Sequence, residues 1–446
     1  MGIDVDRIFG DLELGQRSRL VVAISGGSDS LALLVLLKQY LDRQASATRL
    51  LAVTVDHGLR PEAAKEALAV GDLCRSLEIE HRAVAWAGAK PQTGVIAAAR
   101  EARYDLLADE ASAVGADCIL TGHTLDDQAE TVAMRAQRGQ GGGLAGMARA
   151  TLFDGRVWIV RPLLGMRRQA LREELIAREL AWIEDPTNLN PAYERVRVRA
   201  DLATSGETDR LAAQAASAGR ARQALAEQAA TLLDACASMP SPGLFRLDAR
   251  LLEEKGDDTV HALRVVLALV GGVARLPDAA RTRALHEKLN HGLPRVSLSR
   301  AVVDRRKDAI WLRREKRGLP DPIRADASCV WDGRWHLMGD GQAHLQIAAL
   351  GPRLAAELVA GDAMPSQGLV RDALSSEPAL YGPNGLVGLL ACRSAAEAGV
   401  HSTRIASPFA RFLPDFDLPL AAAATRLLGT DAPPSPPWKH HNEPEA

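Results

Sequence analysis

Cysteine, aromatic residues and net charge are all in short supply in this 446-residue chain. Its five cysteines (Cys74, Cys118, Cys236, Cys329, Cys392) are scattered, with no Cys-x-x-Cys pair. That excludes a disulfide framework and a zinc or iron–sulfur site, and it points to a reducing, cytoplasmic compartment. Aromatics make up 4%, so Ala, Leu and Val must build the core. No apolar run approaches the roughly 18 residues of a membrane helix; the longest, Leu31 to Leu37, ends at Lys38. The N-terminus opens acidic, without the positive stretch of a signal peptide. Asp6 stands where a myristoylation signal has Ser or Thr. Lys and Arg number 54 against 56 acids, a net charge of −2, which taken alone speaks against a strongly basic nucleic-acid binder.

What is present is an ordinary globular composition, 47% hydrophobic and 25% charged, with length for about three domains. Short β-branched runs begin at Arg19, Leu50, His81 and Asp117, spaced 31, 31 and 36 residues apart. The intervals carry helical periodicity; Leu31, Leu34, Val35 and Leu41 share one face. Strands alternating with helices predict an α/β fold with a parallel sheet, whose ligands bind at the carboxyl ends of the strands. A Gly-rich stretch (Arg138 to Met147), a strand VWIVRPLL and a helix from Arg167 to about Ala181 follow. A long Ala-rich helix is expected from Thr208 to Ala235, further helices over Thr259–Leu269 and Ala279–Asn290, and a β-hairpin turning near Arg306 to Asp308. The expected division is 1–207, a catalytic domain; 208–317, a helical domain with a β-hairpin; 318–432, a small mixed α/β domain; and 433–446, a disordered tail. His440 and His441 in that tail read as solvated ends.

The strongest local motif is Ser25-Gly26-Gly27-Ser28-Asp29-Ser30, at the turn between the first strand and its helix. Two glycines allow close backbone approach, and free N–H groups at a helix start cradle an anion. The three hydroxyls add donors, and Asp29 beside phosphate calls for a bridging Mg²⁺. There is no Gly-Lys-Ser/Thr, so this is not a Walker P-loop. Asp56 and His57 end the second strand beside this loop. Arg100 and Arg103 lie three apart on one helix face and suit clamping of phosphate or carboxylate. After the fourth strand come His123 and the carboxylates Asp126, Asp127 and Glu130, in the first turn of a helix. Those acids either cap the helix or hold Mg²⁺ and a cationic amine.

In this order the motifs resemble the tRNA(Ile)-lysidine synthetase family of the PP-loop ATP pyrophosphatase superfamily. SGGSDS, VDHGLR (55–60), AREARY (99–104), Thr121-Gly122-His123 with DDQAET, GGGLAGM, Arg161-Pro162-Leu163 and Asp185-Pro186-Thr187-Asn188 carry the likeness over residues 19–200. Two departures stand out: His123 is followed by Thr124 where the family often has a second histidine, and ERVRVR replaces an Arg-Asn-x-Ile-Arg segment. The resemblance implies an N-terminal PP-loop domain of the adenine nucleotide alpha hydrolase type. It implies ATP on Ser25 to Ser30 with Asp56 and His57, Mg²⁺ on Asp29 and Asp127, and lysine on Asp126, Asp127 and Glu130. Catalytic roles fall to Asp29, His123, Asp127 and Arg103. The implied reaction joins free L-lysine to carbon 2 of the wobble cytidine of an isoleucine tRNA with a CAU anticodon. Alternatives are another PP-loop tRNA-modifying enzyme such as a base thiolase, a tRNA-binding protein with an inactive site, or a small-molecule adenylating ligase.

Charge patterning supplies the RNA side. Residues 134–200 hold 12 arginines, no lysine and 7 acids, and residues 295–317 hold 9 basic against 3 acidic residues. Such segments on an acidic background are candidate polyanion footprints, and Arg138, Arg195, Arg197, Arg199, Arg313 and Arg314 are the expected tRNA contacts. The net charge of −2 averages these segments away. Monomer and homodimer are both compatible with the sequence.

Overall fold

The computed structural model describes residues 2–58, 62–139, 143–184, 190–326, 328–339, 344–360, 367–391 and 393–438. Leu59 and Arg60, part of the Gly-rich stretch, Asp185 to Asn188, His440 and His441 lie outside the described residues. The chain forms two compact units: residues 1–222 with 412–416 and 434–446, and residues 223–411 with 417–433.

The first unit carries α1 (Val5–Phe9), β1 (Arg19–Ala23), α2 (Ser28–Arg43), β2 (Arg49–Asp56), α3 (Ala63–Ser76), β3 (Glu80–Ala85), α4 (Val95–Ala113), β4 (Cys118–Thr121) and α5 (Leu125–Gln137). It continues with β5 (Ala150–Phe153), β6 (Val157–Val160), α6 (Arg168–Ala177), α7 (Glu194–Ser205) and the start of α8 (Thr208–Cys236). The four strands expected from the β-branched runs are β1 to β4. They join a seven-stranded sheet in which β6, β4, β1, β2 and β3 lie side by side in parallel. β5 runs antiparallel beside β6, and a short strand Phe412–Pro414 closes that edge. The chain leaves β1 toward β2 and β3 and then returns to β4 on the other flank, so β1 and β4 bracket the point where strand order reverses, the place where such sheets bind ligands. One core cluster of this unit joins Val21, Val53, Ile119 and Ile159 of the sheet to Leu107 and Ala111 of α4, with Tyr104 and Phe153 among the few aromatics.

The second unit contains antiparallel sheets of five, four and three strands. The hairpin pairs Ala301–Arg305 with Ala309–Arg314, and helices occupy Asp257–Gly271 and Ala279–Asn290. The expected three-domain division needs correction. The first division falls at 222/223, inside the continuous helix α8, and residues 223–411 form one body. The reason is shared burial: Leu244 packs with Leu350, Leu374 and Ala379 in one cluster. A buried ion network ties Arg314 to Asp332, and Arg334 to both Asp332 and Glu377, across the expected boundary at 318. Of the expected tail, residues 433–438 are described and are not free of the fold. Pro436 and Pro437 are buried in the first unit, and Trp438 bridges Leu12 under the Arg149 guanidinium. No helix among the described residues is long and apolar enough to cross a membrane.

The strand at Phe412–Pro414 leads into Asp415, whose Oδ2 accepts the Ala150 N–H at 3.1 Å. Burial pushes this carboxyl up to about 6, against the opposing pull of that N–H, Arg149 and Arg161. The folded state therefore holds the proton more tightly than the unfolded chain, whose carboxyl titrates near ~4. Stability is greatest below that value, declines as pH rises to about 6, and levels off above. Asp415→Asn is expected to stabilise the protein at pH 8 by on the order of 1–3 kcal/mol and to change little at pH 4. Melting curves at the two pH values check this, and an unchanged melting temperature at pH 8 contradicts it.

Candidate functional site

The turn after β1 places Gly26 where a side chain would be strained. Gly26 has φ +81°, and a Cβ there would lie 2.7 Å from Ile183 Cδ1; the Gly26 carbonyl accepts the Ile183 N–H at 2.9 Å. Gly27 precedes the first residue of α2 with extended backbone. Ser30 Oγ donates to the Gly27 carbonyl and accepts the Ser25 N–H at 3.2 Å, which folds the loop over the helix start. Ser28 Oγ donates to Asp29 Oδ1 at 3.0 Å. Ser25 is exposed, Ser28 and Ser30 are buried and Asp29 is partly buried. The loop therefore presents a hydroxyl, backbone N–H groups and one carboxylate to the end of the sheet.

The second wall comes from the turn after β4. A Cβ on Gly122 would lie 2.7 Å from the Asp29 carbonyl oxygen and 2.8 Å from the Ser30 nitrogen, so Gly122 lets the two turns touch. Thr124 caps α5 in a capping box, and Asp127 is its partner. Asp127 Oδ2 accepts the Thr124 N–H at 2.8 Å and its hydroxyl at 2.9 Å. Asp127 Oδ1 accepts Arg168 Nη2 at 2.7 Å and Arg195 Nη2 at 2.9 Å. Helix capping and pairing with the arginines are thus divided between the two oxygens of one carboxylate. Glu130, 1% exposed, accepts Arg195 Nε at 2.6 Å and Arg199 Nε at 2.7 Å, with Arg168 Nη1 at 3.3 Å. Asp126 Oδ2 accepts the backbone N–H of Arg168 at 2.7 Å and so caps α6. Residues 140–142 of the Gly-rich loop lie outside the described residues. Its end is clasped to α5 by Gln128, which donates to the Met147 carbonyl at 2.9 Å and accepts the Met147 N–H at 2.6 Å.

Arg168 is the residue that sequence reasoning missed. Its Nε meets Asp29 at 2.8 Å, its Nη2 meets Asp127 at 2.7 Å and its Nη1 reaches Glu130. Burial pulls its charge down, yet Asp127 and Asp29 together hold the guanidinium above its ordinary value. Burial raises the Asp29 carboxyl, with Arg168 opposing and Asp127 reinforcing. The available signal was the acidic cluster itself, since carboxylates packed this closely demand cations; nothing in RPLLGMRRQAL says which arginine answers.

The remaining expected residues divide clearly. Asp56 Oδ1 accepts the Gly58 N–H at 2.7 Å, turning the chain after β2. His57 lies edge-on to Trp86 at 6.3 Å, and burial with Arg103 and Lys90 lowers its pKa against the pull of Asp56. His123 Nδ1 is 2.9 Å from the Thr121 hydroxyl. Burial and the charges of Arg161, Arg103, Arg100 and Arg195 push it well below the ordinary imidazole value, so it is neutral near pH 7. Burial likewise lowers Arg103, with Tyr104 opposing.

Four RNA-facing expectations need correction or narrowing. Arg313 is 5% exposed and pairs with Asp304 and, at 3.4 Å, with Asp372; Arg314 is 1% exposed and meets Asp332 at 3.0 Å. Neither faces solvent, because both sides of their strand are covered. Asp304 keeps Arg295, and Asp332 keeps Arg300 and Arg334, so substituting either arginine removes one cation from a buried network that stays partly paired. A cost of about 1–3 kcal/mol of fold stability is expected, read as a lowered melting temperature. Arg195 and Arg199 turn inward to Glu130. Arg197 and Arg138 stay exposed, the first on the carbonyls of Pro191 and Ala192, the second paired with Glu194.

The metal expectation also narrows. Among the described residues no three His, Cys, Asp or Glu side chains converge as a metal cage. A carboxylate offers about four acceptor directions, and those of Asp127 are filled by Thr124, Arg168 and Arg195, so Asp127 does not fit as a ligand. Asp29 does fit, because Mg²⁺ is commonly held by one carboxylate together with substrate phosphate oxygens and water.

Strand order, the glycine turn after β1 and the acidic helix start after β4 together define the class, a PP-loop protein, and the model of the PP-loop domain matches residues 3–205. The tRNA(Ile)-lysidine synthase of Mesorhizobium japonicum is 48% identical over 432 residues, covering 95% of each chain. That of Rhizobium meliloti is 39% identical, covering 94% of this chain and 93% of its own. The solved U34-tRNA thiolase NcsA from Methanococcus maripaludis is 20% identical, with a TM-score of 0.42 over 48% of this chain and 77% of its own. The chain belongs to the tRNA(Ile)-lysidine synthase family.

Proposed function

We propose that this protein joins free lysine to the wobble cytidine of a CAU-anticodon isoleucine tRNA in the cytoplasm, using ATP with Mg²⁺. The observation that carries the reading is the sharing of one guanidinium between Asp29 of the glycine turn and the Asp127–Glu130 pair. A nucleotide site and a cation-binding acidic pocket are then neighbours, as a two-step ligation requires. Backbone N–H groups and hydroxyls of Ser25 to Ser30 bind the phosphates, and Asp29 holds the metal, which supplies charge neutralisation at the phosphates. The cytidine 2-carbonyl oxygen attacks the α-phosphorus and pyrophosphate leaves. The ε-amine of lysine then attacks carbon 2, loses its proton and displaces AMP. His123, neutral at the tip of β4, is the proton acceptor we assign. Adenylation converts a poor leaving group into a good one, and the protein's part is positioning and charge stabilisation.

Asp127 Oδ1 and both Glu130 oxygens are met by guanidinium groups, so a bound amine exchanges for one of them. The Arg195 and Arg199 side chains are 40% and 36% exposed against 15% for Arg168, which makes that pair the exchangeable one. The deciding experiment mixes purified protein, isoleucine tRNA transcript, ATP and labelled lysine. Label in the RNA with stoichiometric AMP is expected. Turnover of ATP on a sulfur donor or a small amine, without labelled RNA, would favour the thiolase or small-molecule alternative.

A further inference from the structure

We propose that Arg168 is a positioning residue shared by both half-reactions, a single rigid guanidinium that sets Asp29 for nucleotide activation and Asp127 with Glu130 for the amine. This rests on the functional reading above and deepens it. Three observations carry it. Each nitrogen of the Arg168 fork meets a different carboxylate, at 2.8 Å, 2.7 Å and 3.3 Å, and those carboxylates come from two separate loop–helix turns. Charge neutralisation alone does not require it at Asp127 and Glu130, which already pair with Arg195 and Arg199. For Asp29, in contrast, Arg168 is the only ion-pair partner among the described residues.

The second observation is local frustration. Arg168 opens α6, and a cation at a helix N-terminus opposes the helix dipole. The fold holds it there regardless, with Asp126 taking its backbone N–H at 2.7 Å, and local preferences are broken in this way chiefly at functional sites. The third is rigidity: its side chain is the least exposed of the three arginines in the pocket. A planar fork spanning three carboxylates cannot be replaced by the point charge of lysine.

The test uses the full chain, isoleucine tRNA transcript, ATP and lysine, and reads two steps: the first turnover of pyrophosphate without lysine, and incorporation of lysine added afterwards. Arg168→Ala is expected to slow both by about 10²-fold at saturating substrates, with KM for ATP and for lysine changed only a few-fold. Millimolar guanidinium chloride, and not ammonium chloride, is expected to restore part of both. Arg168→Lys keeps the charge and is expected to remain at least about tenfold slow in both. Loss confined to one step, pyrophosphate release within threefold of the unsubstituted protein, or failure of guanidinium to rescue a folded Arg168→Ala overturns the proposal. If Arg168→Ala does not fold, Arg168→Lys decides, and an unimpaired rate in either step overturns the shared role. The unsubstituted protein separates the two possible failures. If it incorporates no lysine, the functional reading is wrong; if both it and Arg168→Ala incorporate lysine at similar rates, the shared positioning role is wrong.

Discussion

Asp29→Ala is expected to lower pyrophosphate release by at least about 10²-fold, because it removes the one carboxylate the glycine turn aims at the nucleotide. The loss is electrostatic more than architectural. Asp29 makes no backbone cap of α2, whose N-cap is Gly27 without a side-chain bond. Its contacts are the Ser28 hydroxyl and the Arg168 guanidinium. Losing it frees Arg168 from the loop while leaving it paired with Asp127 and Glu130, so the pocket keeps its cation and the chain keeps its core. Affinity for tRNA, measured by filter binding at fixed salt because phosphate contacts are salt-dependent, is therefore expected to stay within about twofold. If tRNA affinity falls along with pyrophosphate release, the loop's role is architectural and the assignment of Asp29 fails.

What the sequence made legible follows from the range of the interactions involved. The strand–helix alternation and the glycine turn are local: Gly26 and Gly27 announce a close approach within six residues, and Asp126, Asp127 and Glu130 announce a charged helix start within five. The start of β1 at Arg19 and the helix Ala279–Asn290 came out at the expected residues, since periodicity over one element needs no knowledge of its neighbours. The arginines were a different problem. Twelve of them in residues 134–200 look alike in sequence, and only tertiary placement turns Arg168, Arg195 and Arg199 inward while Arg138 and Arg197 stay exposed. Arg313 and Arg314 show the same limit. Both were expected as tRNA contacts, although neighbours on a strand point to opposite faces. Both are buried because helix Gln367–Leu374 brings Asp372 to one face and Asp332 waits on the other. The merging of the two expected distal domains has the same origin, as Asp332 and Glu377 lie 18 and 63 residues beyond Arg314 in sequence yet share its buried network.

Glu130→Gln is expected to raise the KM for lysine by about 10²-fold or more while pyrophosphate release without lysine falls far less. Glu130 is the most enclosed acid of the pocket and the one on which Arg195, Arg199 and Arg168 converge. Glutamine preserves the volume and one carbonyl oxygen, but it removes the charge that a cationic amine must find when it exchanges for a guanidinium. Truncating one member of a buried, hydrogen-bonded charge cluster commonly costs about 3–5 kcal/mol, enough to account for a loss of that size in binding. Asp29 keeps its own bond to Arg168, and Arg168 keeps Asp127, so the nucleotide side retains its geometry. The pattern therefore differs from that of Arg168→Ala, in which both steps fail at nearly unchanged KM. Lysine titration of the transfer step, beside a lysine-free pyrophosphate assay, distinguishes them. An unchanged KM for lysine would remove Glu130 from the amine site and leave it as an anchor for helix α7.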